Sequence, residues 1–235
     1  MKIKNDFLEK LKTELIAPEV ERIMKEQAPP PNGLEPQKVW EQKLRTNLMD
    51  LFSGEAVLNK MNEGFEAISE NLTPVEIEKI SEEWRRGVEL WIEKSKSKEE
   101  KEPPLCLQEI MELSEETLGR FYTAGNYFFE HQEYHKASDI FYVIISLDPR
   151  RYNCWMALGL SEVHQQRWEP ALISFSMASI MNIESPYPYL YSAECCLRDH
   201  RKEEAAVYKN LAKEAIENGD FKNKQELLNS LHRIQ

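Results

Sequence analysis

His131 and His135 stand four residues apart, the spacing that puts two imidazoles on one helical face where they could share a metal ion. They straddle a predicted turn between two helices, however, and no cysteine or carboxylate reads as completing a ligand set. The expectation is two surface histidines and no metal. Cys106, Cys154, Cys195 and Cys196 have no metal-ligand spacing, and the adjacent pair is unsuited to bridging itself. They read as small buried apolar residues of a reducing compartment. Glu82 and Glu83 belong to a solvated helix face, where charge is ordinary. Trp84 and Trp91, one heptad apart, read as core or interface rather than a ligand cage. No Walker loop, G-x-S-x-G elbow, H-E-x-x-H helix or dinucleotide fingerprint occurs. The sequence therefore predicts binding without catalysis, and no cofactor.

The strongest pattern is architectural. Ala137, Ala171 and Ala205 are spaced by 34 residues, as are Gly125, Gly159 and Ala193, and Ile144, Ala178 and Ala212. Trp155, Leu158, Gly159, Ala171, Phe175 and Ala178 fall on the large and small positions of a tetratricopeptide repeat. Paired antiparallel helices approach closely only where one presents Gly or Ala, and large residues fill the space beside that contact. The fold class expected is all-α: three tetratricopeptide hairpins and a C-terminal capping helix, preceded by a helical N-terminal region.

Composition agrees. Eight glycines in 235 residues and 30% charged residues suit a helical protein. A net charge of −11 argues against nucleic acid or an anionic membrane as principal partner. No apolar run approaches the roughly 20 residues of a membrane span. MKIKNDFLEKLKTEL lacks the apolar centre of a signal peptide, so a cytosolic location is expected.

Residues 1–93 read as a helical region without the repeat. A first helix is expected over Asn5–Gln27 and is stopped by the proline-rich stretch Ala28–Pro36. Short amphipathic helices follow at Val39–Leu51 and Ala56–Ile68. Thr73, Pro74 and Glu76 then form a capping box that opens a helix to about Lys94. Residues 94–104, highly charged and ending in two prolines, read as a linker. The tetratricopeptide domain is expected over 105–235, with a short leading helix, repeats at about 118–151, 152–185 and 186–219, and a capping helix over 221–234.

The first helix of each hairpin faces the concave side of such an array. Groove positions are then Tyr122, Asn126 and Phe129, next Met156, Leu160 and Val163, and finally Tyr187, Leu190 and Leu197 with Glu194 among them. Hairpin packing uses the other face of these helices, so an apolar groove side marks an interaction surface. An extended or partly helical apolar segment of another chain would fit it, and self-coverage by the N-terminal region or a second copy is the competing reading. Tetratricopeptide clamps for acidic C-termini need Lys, Asn and Arg here. Asn126 is present, but Tyr122, Met156 and Leu160 replace the other polar positions.

The segments LSEETLGRFYTAGNYFFEHQEYHKASDIFYVIISLDP, Tyr152–Ala171 and FSMASIMNIESPYPYLYSAECCL resemble the class II chaperones of bacterial type III secretion translocators. The resemblance covers about residues 105–235. It implies a protein that holds hydrophobic translocators before secretion, taking a short extended segment of the client into the groove. It also implies that Tyr122, Phe129, Tyr134 and Phe175 line the pockets. Asn126 stands where relatives often carry an aromatic residue. The long region ahead of residue 105 departs further, since relatives have only a short arm there that often mediates dimerisation; a homodimer is therefore a possible state. A scaffold or regulatory adaptor for a folded protein is the alternative function.

Overall fold

The computed structural model describes residues 55–96 and 106–234. The helices expected at Asn5–Gln27 and Val39–Leu51, the break at Ala28–Pro36 and most of the linker at 94–104 lie outside the described residues. The described residues are all helix and connecting turn and divide into two compact units, the chain passing from one to the other between Arg150 and Arg151.

The first unit holds α1 (Glu55–Glu70), α2 (Pro74–Lys96), α3 (Leu107–Met111), α4 (Glu115–Glu130) and α5 (Tyr134–Leu147). The capping box opens α2 as its sequence dictates. The Thr73 N–H donates to Glu76 Oε2 at 2.8 Å, and the Glu76 N–H donates to Thr73 Oγ1 at 3.3 Å. The first repeat helix starts at Glu115, three residues ahead of the expected Leu118, because Ser114 caps it by accepting from the Thr117 N–H at 3.2 Å. Glu83 of α2 adds a cap from outside the helix: its carboxylate accepts from the Ser114 N–H and from Thr117 Oγ1. Burial works against this charge, but the hydrogen bonds from Thr117 and Ser114 outweigh it and hold the carboxyl below its usual range. Lys79 meets Glu116 at 2.9 Å, and Arg120 pairs with Glu76 across the same junction.

Every residue of α5 from Ala137 to Leu147 is buried except Ser146, which is half-buried. A helix apolar all round needs cover on more than one side. Here α4 packs on one side and α1 on another. The approach of α1 is close at Gly64, where an added Cβ would lie 2.6 Å from both Asp139 O and Val143 Cγ2. Phe65 of α1 meets Trp84 of α2 edge-on at 4.8 Å and Phe121 of α4 at 6.1 Å. Trp84 and Trp91 are both buried.

The second unit holds α6 (Tyr152–His164) and α7 (Trp168–Met181), α8 (Tyr187–Arg198) and α9 (Lys202–Asn218), then α10 (Lys224–Arg233). Consecutive helices pack on one another in chain order. Pro186 and Pro188 open α8, positions where a missing N–H costs nothing. Arg201, just ahead of α9, donates to Glu204 at 2.7 Å and reaches back to Glu169 of α7 at 2.7 Å. The capping helix begins at Lys224 rather than at 221. Its Leu227 and Leu231 pack on Leu190, Ala212 and Ile216, with Leu228 and Ile234 at the edge of that cluster. All four cysteines are buried free thiols. Among the described residues, no helix is long and apolar enough to cross a membrane.

One device repeats through all three hairpins. Gln132, Gln166 and His200 occupy the left-handed region, with φ of 63°, 60° and 62°. Each stands 34 residues from the next in the sequence. The following N–H reaches back five residues in every case: Glu133 to Phe128 O at 2.9 Å, Arg167 to Glu162 O at 2.9 Å, and Arg201 to Cys196 O at 2.7 Å. This is a Schellman closure without glycine.

Candidate functional site

Two adjacent stripes divide α4. Phe121, Ala124, Gly125 and Phe128 are buried, whereas Tyr122, Asn126 and Phe129 are half-buried on the neighbouring stripe. Gly125 is what allows the hairpin to close: an added Cβ would lie 2.8 Å from Phe141 Cε1. Tyr122 then meets the same Phe141 ring edge-on at 5.8 Å, and Phe129 meets Tyr134 edge-on at 5.3 Å. The four residues proposed from the first repeat thus form an aromatic row with one amide, partly open to solvent. Tyr127, 43% exposed, was not among the sequence candidates; it packs on His131 with ring centroids 4.0 Å apart.

In the second unit Gly159 has the same role, since an added Cβ would lie 2.5 Å from Phe175 Cε1. Phe175 is fully buried and stacks on Tyr191, with centroids 5.5 Å apart and the rings 21° from parallel. Met156 and Leu190 are also buried, Leu160, Val163 and Leu197 are half-buried, and Tyr187 is exposed. The predicted positions of this unit therefore form a floor of buried side chains and a rim of accessible ones.

A cleft of about 510 Å³ opens beside this rim. Tyr187, Leu190 and Leu197 of α8 line it, together with Tyr191, Leu227 and Ile234. The polar margin is Glu194, paired with Arg198 at 2.6 Å, and Arg233. Tyr191 and the residues beyond α9 were missed in the sequence. Tyr191 follows Tyr187 by four residues on one helix, which is the signal that would have found it. The contribution of α10 had no such signal, because periodicity does not specify where a capping helix docks.

The histidines separate as expected: His131 ends α4, and His135 lies in α5. His131 Nδ1 lies 2.7 Å from Tyr127 O. His135 corrects the sequence reading, which left it without a carboxylate neighbour. Asp139 lies one turn on at 2.9 Å, and Glu63 of α1 joins them.

No protein-family model matches the sequence, and no curated protein matches it. Solved structures do. The chain is similar to the type III secretion translocator chaperone SycD of Yersinia enterocolitica, with 25% identity and a TM-score of 0.49 over 53% of this chain and 95% of that one. It is similar to a chain of the CopN–Scc3 complex at 22% identity and a TM-score of 0.50, covering 61% of this chain and 98% of that one. A chain of a T3SS complex from Aeromonas hydrophila gives 22% identity and a TM-score of 0.50, covering 55% and 83%. The fold is thus all-α and of the tetratricopeptide hairpin type, shared with the last two structures.

Proposed function

We propose that this protein is a type III secretion chaperone that holds an apolar segment of a translocator protein on the first-helix faces of its hairpins. Bound in this way, the client stays soluble and competent for secretion. One observation carries the reading: Tyr122, Phe129, Leu160, Val163, Tyr187 and Leu197 keep part of their apolar surface accessible on α4, α6 and α8, beside the buried stripes that close each hairpin. Apolar side chains presented in rows at helical spacing suit spaced anchors of an extended or partly helical segment. The buried floor of Met156, Phe175 and Leu190 holds the rim in place without needing to touch the client. The sequence resemblance over residues 105–235 supplies the client class, since the named SycD is a translocator chaperone.

The test is co-expression with the translocator proteins of the same cell, followed by pull-down and by an aggregation assay on the released client. The double variant Tyr122→Ala, Leu160→Glu is expected to lose capture while keeping its helical circular dichroism. Capture unchanged in that variant overturns the assignment of the surface. Capture of a folded partner without suppression of aggregation would favour an adaptor.

A further inference from the structure

Glu63, His135 and Asp139 bring one nitrogen and two oxygen donors together from two helices that are distant in sequence. Their ligand-capable atoms all lie within 4.8 Å of one another. We infer that this cluster is a binding site for a divalent transition-metal ion of the zinc type, and that the ion staples α1 to α5 of the first hairpin.

The geometry comes from the helices. His135 and Asp139 are spaced i, i+4 on α5, so their side chains share one face. His135 Nδ1 stands 2.9 Å from Asp139 Oδ2. That contact is a direct imidazole–carboxylate pair; a tetrahedral zinc with metal–donor bonds of about 2.1 Å would replace it by opening the two donors to about 3.4 Å. Glu63 comes from the opposite side, and its place is set by its neighbour. Gly64 rests on the Asp139 carbonyl so closely that an added Cβ would lie 2.6 Å from the oxygen. The third donor is thus brought to α5 by backbone packing, whereas His135 and Asp139 stand on rigid helix.

Burial points the same way. The Asp139 side chain is 5% exposed and His135 is 70% exposed, so the site has a dry inner ligand and an open outer face for entry and for water ligands. A donor set with one imidazole selects zinc, nickel or cobalt over magnesium and calcium, which take oxygen alone. This inference is independent of the client-binding function.

The experiment uses the full chain, stripped with chelator and titrated with Zn²⁺ by calorimetry, with thermal melts in parallel. One saturable site and a higher melting temperature are expected with zinc. His135→Ala and Glu63→Gln are each expected to weaken that site about tenfold or more. Glu63 is exposed, so Glu63→Gln keeps the test valid if the histidine variant fails to fold. Absence of saturable uptake overturns the inference. So does uptake at unchanged affinity in Glu63→Gln, the result expected if the four thiols capture the ion instead.

Discussion

Gly64→Ala and Gly119→Ala are the same chemical change in two α-helices, and the structure assigns them opposite signs. Within a helix, glycine is less stable than alanine by about 0.5–1 kcal/mol, and each substitution recovers that amount where there is room. At Gly119 there is room: nothing lies within 4 Å of the added Cβ, so a gain of about 0.5–1 kcal/mol is expected. At Gly64 the new methyl would lie 2.6 Å from Asp139 O and from Val143 Cγ2. The carbonyl belongs to helical backbone and cannot swing aside as a flexible side chain would, so α1 must lift. Overpacking of this kind costs about 1–3 kcal/mol, which exceeds the propensity gain. The ceiling is set by what α1 buries: Met61 at 0% and Ile68 at 2% exposure, each worth about 1.5–3 kcal/mol. Chemical denaturation of the two variants beside wild type is the assay; the propensity gain is common to both, so their stabilities are expected to differ by the overpacking cost alone, about 1–3 kcal/mol. If Gly64→Ala is as stable as Gly119→Ala, α1 does not rest on α5, and the account of the first unit fails.

Two further outcomes follow from particular residues. Gln166→Gly relieves a left-handed residue that costs a side chain about 1–2 kcal/mol, partly offset by the greater freedom of glycine in the unfolded chain, so a net gain of about 0.5–1 kcal/mol is expected in the same denaturation assay. The carboxyls of Glu76, Glu83 and Glu116 are held below their usual range: Glu76 by the Thr73 hydrogen bonds, Glu116 by Lys79, and Glu83 as described above. A depressed folded-state pKa stabilises above the unfolded value and loses that contribution as pH falls through the folded one. Stability is therefore expected to decline on acidification below the ordinary carboxylate range, and Glu83→Gln is expected to flatten that slope. An unchanged slope counts against the α2–α4 junction.

The sequence alone determined the hairpins. Glycine at 125 and 159 faces an aromatic ring sixteen residues later in the same repeat, and a contact so local leaves a fixed spacing that can be read directly. The capping box at Thr73 was legible for the same reason, since it depends on a neighbour within one turn; Trp84, by contrast, is buried against Phe65 of another helix. The turn residues were not legible, because glutamine and histidine carry no signature of a left-handed backbone; the back-bonds they close impose it. Nor was the seat of α1 on α5, although the all-round apolarity of α5 was a clue that a second cover was needed. Among the candidate site residues, Tyr122 and Leu160 are half-buried and Tyr187 is exposed. Only packing decided that Phe175, Met156 and Leu190 became floor while Tyr191 and α10 joined the cleft. Periodicity states which side of a helix is apolar. How much of that side is covered depends on helices whose distance along the chain leaves no periodic trace, and that is what the tertiary structure decided.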